Sequence, residues 1–429
     1  MVKTKKISYC KEVGTLSIPL YKRRKPMDNV KPKTVIRQLF SELPVDVHER
    51  LLFDHYTKKL TIMKAIMLFI TAQLKQLSSY KEMELTLRAQ SKLQSLLHLT
   101  SISGAQLSRK LDQIPTELLE WIFLQLAAQA EQRAKRPSSN RRRIGKLNIV
   151  DSTTIRLPLQ LGSWAQMSGK SSGVKMHLRL TVTDPDKLYP SAMVPSSLNV
   201  GDRAGAIELV VEPDAIHVMD RGYDDYRRMD QWVENQIHFV IRMRDRALAT
   251  VIEEYPVSKG SKITRDAKVY VGGSFRSMEH PVRLVEFYDE QGRRYRLFTS
   301  VWEKTAEEIA EIYKSRWLIE LYFKWLKQHL RLKKLHSHKP QAIWNQLFLV
   351  LITALLVDQI RHQSPAAKTN WQMLQILRTY VFHSWRAFKS EVNRKPSRQS
   401  QGKSPGTEPR PLTVRTTVGI IKPSKKKNK

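Results

Sequence analysis

"YKSRWLIELYFKWLKQHL", residues 313–330, sets one acid, Glu320, among Lys314, Arg316, Lys324 and Lys327 and beside Trp317, Trp325 and the Tyr322–Phe323 pair. Read as one helix at about 100° per residue, it brings Tyr313, Arg316, Glu320, Lys324 and Lys327 within roughly an 80° arc. Leu318, Leu321 and Trp325 border the arc on one side, and Ile319, Phe323 and Leu326 on the other. The plainer reading is a solvated face with a Glu320–Lys324 ion pair, worth about 0.3 kcal/mol. A solvated face is not normally edged by apolar and aromatic residues on both sides. A half-buried stripe with one carboxylate and several cations suits a site that holds a metal and grips phosphates. Arg316 could fork onto a phosphate, Tyr313 donate its hydroxyl, and Lys324 and Lys327 add point charges.

One carboxylate is too few for a hard metal ion, and two more acids sit beside β-branched runs. Asp151 follows "KLNIV" and leads into "STTIRL"; Asp220 closes "AIHVM" and precedes Arg221, Gly222 and Tyr223. Both read as strand-end acids, where the backbone is fixed and a ligand gains precision. Two Asp and one Glu are oxygen ligands suited to Mg²⁺ or Mn²⁺, and such ions serve phosphodiester chemistry. On position alone, Asp151 and Asp220 read equally well as turn caps.

The charge balance points to the substrate class. Among 429 residues, 74 Lys and Arg face 40 Asp and Glu. The excess is spread along the chain, which favours a polyanionic partner over a basic solubility surface. Cys10 is the single cysteine, which excludes an internal disulfide and a Cys-x-x-Cys zinc site. "MVKTKKISYC" lacks an apolar core, so no signal peptide is expected. The apolar run "LFLVLITALLV", 347–357, is too short to span a bilayer and reads as a buried core helix. "GKSSG" at 169–173 has Trp164 where a phosphate loop needs its first glycine, which argues against an ATPase. His336 and His338 read as solvent or phosphate contacts.

The pattern along the chain divides it. Residues 1 to about 35 read as a basic, Pro-containing arm, and 35–134 as helices with apolar residues three and four apart. Within them, "LTSISGAQLSRKLDQIP", 99–115, carries Gln106, Ser108, Arg109 and Lys110 on one helix. It could be a helix-turn-helix reader, although an ordinary helical hairpin is favoured. A Pro, Ser and Arg-rich linker covers 135–146. Strands follow, with "DEQG" as a hairpin turn, and helices return at the capping box "TAEE", Thr305 to Glu308. From 393 a basic tail ends in "KPSKKKNK".

Tyr313, two residues, Arg316, three residues, Glu320, six residues, Lys327 resembles the Y-(2)-R-(3)-E-(6)-K signature of bacterial insertion-sequence transposases of the IS-four, Tn-five-like type. "RWLIELYFKWLKQHL" resembles that family's "RWxIExxFKxxK". "IVDSTTIRL" resembles the segment around its first catalytic Asp, and "VMDRGYDDY" the second. The resemblance covers about residues 146–360.

It implies a ribonuclease-H-like catalytic domain interrupted by an all-β insertion and preceded by a helical N-terminal domain. The expected divisions are 1–140 (helical, DNA-binding), 141–220 (catalytic core, first part), 221–303 (insertion), 304–390 (core, second part) and 391–429 (tail). It implies Asp151, Asp220 and Glu320 as metal ligands for Mg²⁺, with Mn²⁺ able to substitute. Tyr313, Arg316, Lys324, Lys327 and Arg221 would contact DNA, and Trp232 is a weaker candidate for gripping a flipped base, its plainer reading being an ordinary aromatic. The implied reaction is cleavage at the transposon ends, a hairpin step, and strand transfer. The implied partners are terminal inverted repeats and target DNA, with a homodimer at synapsis, no membrane, and a cytoplasmic, nucleoid-associated setting in a bacterium. The rivals are another ribonuclease-H-like nuclease and an inactive or regulatory DNA-binding relic.

Overall fold

The computed structural model describes residues 34–44, 54, 57–135, 145–159, 162–168, 171–184, 187–273, 276–364 and 368–394. The basic arm, nearly all of the 135–146 linker and the tail from 395 lie outside them.

Helices open the described chain: α1 (Val35–Phe40), α2 (Ile62–Lys75), α3 (Tyr80–Ala89), α4 (Ser91–Leu97), α5 (Gly104–Gln113) and α6 (Thr116–Ala134). Local signals set their limits. The Thr61 and Ser79 side chains cap α2 and α3, and Gln76 ends α2 at φ 55°. Segment 99–115 forms a hairpin half, with Ser103 and Gln106 in a capping box at the start of α5. Gly104, read as part of a turn, begins the helix. Gln106 is thus occupied locally, and Lys110 pairs with Asp54 at 2.9 Å, so two of the four candidate base readers are already engaged.

Then come β1 (Leu147–Leu157), β2 (Gln166–Ser168), β3 (Ser171–Asp184), β4 (Lys187–Ser197), α7 (Asp202–Leu209), β5 (Ile216–Met219), α8 (Tyr226–Glu234) and β6 (His238–Arg242). A run of antiparallel strands follows: β7 (Ala249–Glu254), β8 (Ile263–Gly273), β9 (Arg276–Ser277), β10 (Val282–Tyr288) and β11 (Arg294–Thr299). The chain closes with α9 (Ala306–Lys314), α10 (Trp317–His329), α11 (Pro340–His362), α12 (Asn370–Tyr380) and α13 (Trp385–Val392).

The strands make one mixed sheet in the order β2-β3-β1-β5-β6-β11-β10-β8-β7, with β4 also on β3 and β9 also on β8. β1, β3 and β4 are antiparallel, while β5 and β6 run parallel to β1. Alternation along each strand sorts side chains to two faces. Ile149, Val218 and Val240 join one core with the N- and C-terminal helices. Val150, Met219 and Phe239 join a second core with α7 and α8. The sheet is covered on both faces.

Three expectations need correction. Asp151 is internal to β1, not at its end, because β1 runs on against β3 through Leu157↔Ser172. What ends nearby is the pairing with β5, whose last rung is Ile149↔Val218. Segment 313–330 is two helices: α9 stops at Lys314 and α10 starts at Trp317, with Arg316 at its N-cap and no side-chain cap bond. Segment 221–303 is not all β, since it contains α8 and β6; β6 extends the parallel core, and only from Ala249 on is it purely strands. Those strands continue the same sheet through β11 on β6.

Other features match the sequence reading. Thr305 and Glu308 form the capping box at α9, and Asp289 accepts backbone N–H groups in the "DEQG" turn. The apolar run reads as too short to span a bilayer, but the helix that contains it, α11, is long and apolar enough to do so. The expectation of a buried core helix holds, since 94% of that stretch is buried within the protein.

Candidate active site

Asp151 and Asp220 stand on neighbouring parallel strands. Ile149 pairs with Val218, so two residues on, Asp151 and Asp220 share one face at the point where the strands part. Asp220 caps the turn after β5, its Oδ1 accepting from Gly222 N at 2.8 Å. This is the turn expected there. Asp151 accepts from its neighbour Ser152 N at 2.7 Å.

From the other side α10 brings Glu320. The Arg316 guanidinium lies between the two segments, 3.4 Å from Asp151 Oδ2 and hydrogen-bonded to Glu320 Oε1. Glu320 therefore pairs with Arg316 and not with Lys324. The structure brings Asp151, Asp220, Arg316 and Glu320 together, although Asp151 and Arg316 alone lie 165 positions apart in the chain.

Burial pushes the Asp151 carboxyl up to about 7; the charges of Asp220 and Glu320 add to the rise, and Ser152 N–H and Arg316 oppose it. A carboxylate buried beside two others is held at an electrostatic cost that a cation removes. The donor set, three carboxylates with hard oxygens, fits a divalent metal. Among the described residues no three acidic, His or Cys side chains are already drawn up as a closed metal cage.

The helix break sets the fate of the surrounding stripe. Tyr313 is on α9 and only 5% exposed, its ring edge-on to Tyr295. Burial pushes its hydroxyl up to about 12, with the nearby Arg316 and Arg242 opposing the rise. It is packed beside Arg316 and turned away from solvent. The two-shoulder picture is half right: Ile319, Phe323 and Leu326 are buried on one side, but on the other Leu318 and Trp325 are half-buried and Leu321 is exposed. Lys324 is exposed; Lys327 is partly buried, and burial together with Lys333 lowers its ammonium below the usual lysine range. Arg221 is exposed on the turn next to Asp220. Trp232 is core, 4% exposed and 5.7 Å from the Phe239 ring, so it is not available to grip a base. His336 is packed against Tyr80 and pushed down to about 4 by burial, which removes it from the solvent contacts.

Two groups escaped the sequence reading. Arg242 ends β6 in register with the residue after Met219 and lies 4.2 Å over the Tyr295 ring, next to Tyr313. Asp202 is a fourth carboxylate, accepting from Ser152 Oγ at 2.7 Å and Lys175 Nζ at 3.1 Å. Neither stands in a motif; the alternation in "HFVIRMR" was the only signal for Arg242.

Known proteins resemble the chain over this region. A family model described as Transposase DDE domain matches residues 143–356, about half of the chain. A Geobacillus stearothermophilus protein, named as a probable transposase for insertion sequence element IS5377, is 26% identical over 72% of this chain and 80% of its own length. A Sinorhizobium fredii protein bearing a transposase name, y4zB, is 29% identical over 57% of this chain and 67% of its own. A Synechocystis protein named for insertion sequence element IS4SA is 28% identical over 39% of this chain and 47% of its own.

Proposed function

This chain belongs to the DDE-domain transposases of the IS-four-like kind, and we propose that it cuts DNA at its element's ends with Asp151, Asp220 and Glu320 as metal ligands. The observation that carries the assignment of residues is that Asp151 and Glu320 both meet Arg316, with Asp220 beside Asp151 and Asp151 held at a raised proton affinity. The family's chemistry depends on a divalent ion; here Mg²⁺ is the proposed one, with Mn²⁺ as substitute. When bound, the ion supplies Lewis acidity for attack of water or a 3′-hydroxyl on a phosphodiester.

The protein's own groups do the rest. Arg316, bonded to Glu320 and 3.4 Å from Asp151, balances the carboxylates before DNA enters and is within reach of a phosphate beside them. Burial, and then the charge of Lys333, holds the Lys327 ammonium below the usual lysine range, which favours an anion beside it. Lys324 and Arg221 stand exposed on either side and extend the cationic rim. Strand transfer follows by attack of the freed 3′-end on target DNA.

The sheet supports a ribonuclease-H-like reading: an antiparallel trio, β4-β3-β1, continues into parallel β5 and β6, with the acids at β1 and β5. On that reading, the helices from Val35 to Ala134 form a DNA-binding region, β1 to β6 and the helices from Ala306 to Val392 the catalytic core, and the strands from Ala249 to Thr299 an insertion. The partners are inverted-repeat ends and target DNA, with two chains pairing the ends. The setting is cytoplasmic and nucleoid-associated.

The test is a cleavage and strand-transfer assay on a duplex carrying the element's own inverted repeat, with Mg²⁺ or Mn²⁺. Wild type should nick at the repeat end and join it to plasmid, while Glu320→Gln binds the duplex and does neither. Nicking without joining would indicate a nuclease of the same fold. Equal binding with no cutting by either protein would indicate a DNA-binding relic.

A further inference from the structure

Beyond Ile149, β1 has lost its β5 neighbour and is bonded only to β3. Asp151 therefore sits on a strand held from one side. Ser152, the next residue, points to the opposite face by strand alternation, and there the first residue of α7, Asp202, accepts its hydroxyl at 2.7 Å.

Asp202 is itself held against β3. Lys175 of β3 donates to Asp202 Oδ1 at 3.1 Å and to Val200 O at 3.0 Å. His177, which pairs with Ser152 in the β1–β3 register, has Nδ1 3.8 Å from Asp202 and Nε2 2.8 Å from Ser196 Oγ. Gly205 lets α7 lie this close, since a Cβ there would stand 2.6 Å from the His177 ring. Asp202 does not cap its own helix, so its carboxylate is free for this tether.

We propose that Asp202 is a positioning residue for the active site: with Lys175 it anchors Ser152 from behind the sheet, and the Ser152 backbone N–H in turn orients the Asp151 carboxylate. The order is Lys175, Asp202, Ser152, Asp151, the last link being Ser152 N to Asp151 Oδ1 at 2.7 Å. The tether replaces the missing strand neighbour where a ligand must be held to a fraction of an ångström. The inference rests on the reading of Asp151 as a metal ligand.

The experiment measures Mn²⁺ binding to the DNA-free full chain, by the electron paramagnetic resonance signal of unbound Mn²⁺, beside binding of the inverted-repeat duplex and thermal melting. Asp202→Ala and Ser152→Ala should each weaken Mn²⁺ binding about tenfold and leave duplex binding unchanged. Asp202→Asn, whose amide oxygen still accepts from Ser152, should recover most of the loss. The double alanine variant should be no worse than either single one. If Asp202→Ala fails to fold, Ser152→Ala and Asp202→Asn carry the test. Wild-type Mn²⁺ binding with unaffected alanine variants, or additive losses, overturns the inference alone. A wild type that binds no Mn²⁺, or an Asp151→Asn that binds it equally well, overturns the reading of Asp151 and the inference together.

Discussion

Asp151 carries conflicting demands. It is buried beside Asp220 and Glu320, so its charged form costs free energy that only Arg316 and one backbone N–H offset. Its folded value, about 7, lies above the ordinary Asp value of 3.8, so the folded protein holds this proton more tightly than the unfolded chain. Its contribution to stability is therefore greatest at low pH and is lost as pH rises toward and past about 7. Asp151→Asn should then stabilise the metal-free protein at pH 8 by about 1–2 kcal/mol while abolishing cleavage. Calorimetry of the metal-free protein decides this, and a lower melting point in the variant would contradict it. Glu320 and Asp220 were legible because each stands in a local pattern, a spaced polar stripe and a strand–turn boundary. Asp202 was not legible, because its bond to Ser152 spans 50 positions and involves a helix with two flanking or internal glycines, Gly201 and Gly205, that disguise it.

At the scale of elements, what misled was continuity. The stripe in 313–330 reads as one helix, and Ser315 and Arg316 keep right-handed backbone angles through the break. The break turns Tyr313 inward, so a residue expected to meet DNA instead packs edge-on against Tyr295. β4 escaped notice because Pro190 and Pro195 argue against a strand; it is an edge strand paired only with β3, where missing N–H groups are tolerated. The start of α9 is tied to the sheet by Arg283, whose guanidinium binds Asp266 at 2.8 and 2.7 Å and the Lys304 carbonyl at 2.6 Å. Arg283→Met leaves the Asp266 carboxylate buried and unpaired, and should destabilise by about 3–5 kcal/mol. A lower urea midpoint with unchanged slope reports it; an unchanged midpoint would show that the pair is replaceable.

At the scale of the molecule, α11 welds the parts together. Asn345, fully buried, donates to the Leu111 and Ile114 carbonyls at 2.7 Å each and accepts from Thr116 at 2.8 Å. The N-terminal helices and α11 thus share a core, and Asn345→Ala should cost about 2–3 kcal/mol. The loss should appear equally in probes placed on either side; a loss confined to the N-terminal helices would mean that they unfold separately. That a helical region precedes the sheet was legible from periodicity, but its docking onto α11 was not, since no local pattern encodes which apolar faces meet.

Acid should weaken the whole assembly. His177, His217 and His336 are each pushed down to about 4 by burial. A depressed imidazole adds stability above the unfolded value near 6.5, and that stability fades as pH falls from there to about 4. Each contributes up to about 3 kcal/mol. Urea midpoints should therefore drop between pH 7 and pH 5, and a flat profile would show that these imidazoles are not kept neutral.

The most direct test of the central claim is cleavage by Asp151→Cys at the inverted-repeat end, in Mg²⁺ and in Mn²⁺. A thiolate is a poor ligand for Mg²⁺ and a better one for Mn²⁺. If Asp151 holds the ion, the variant is inactive in Mg²⁺ and regains cleavage in Mn²⁺, whereas Asp151→Ala regains none. Equal activity of Asp151→Cys in both ions, or rescue of the alanine variant as well, would contradict it.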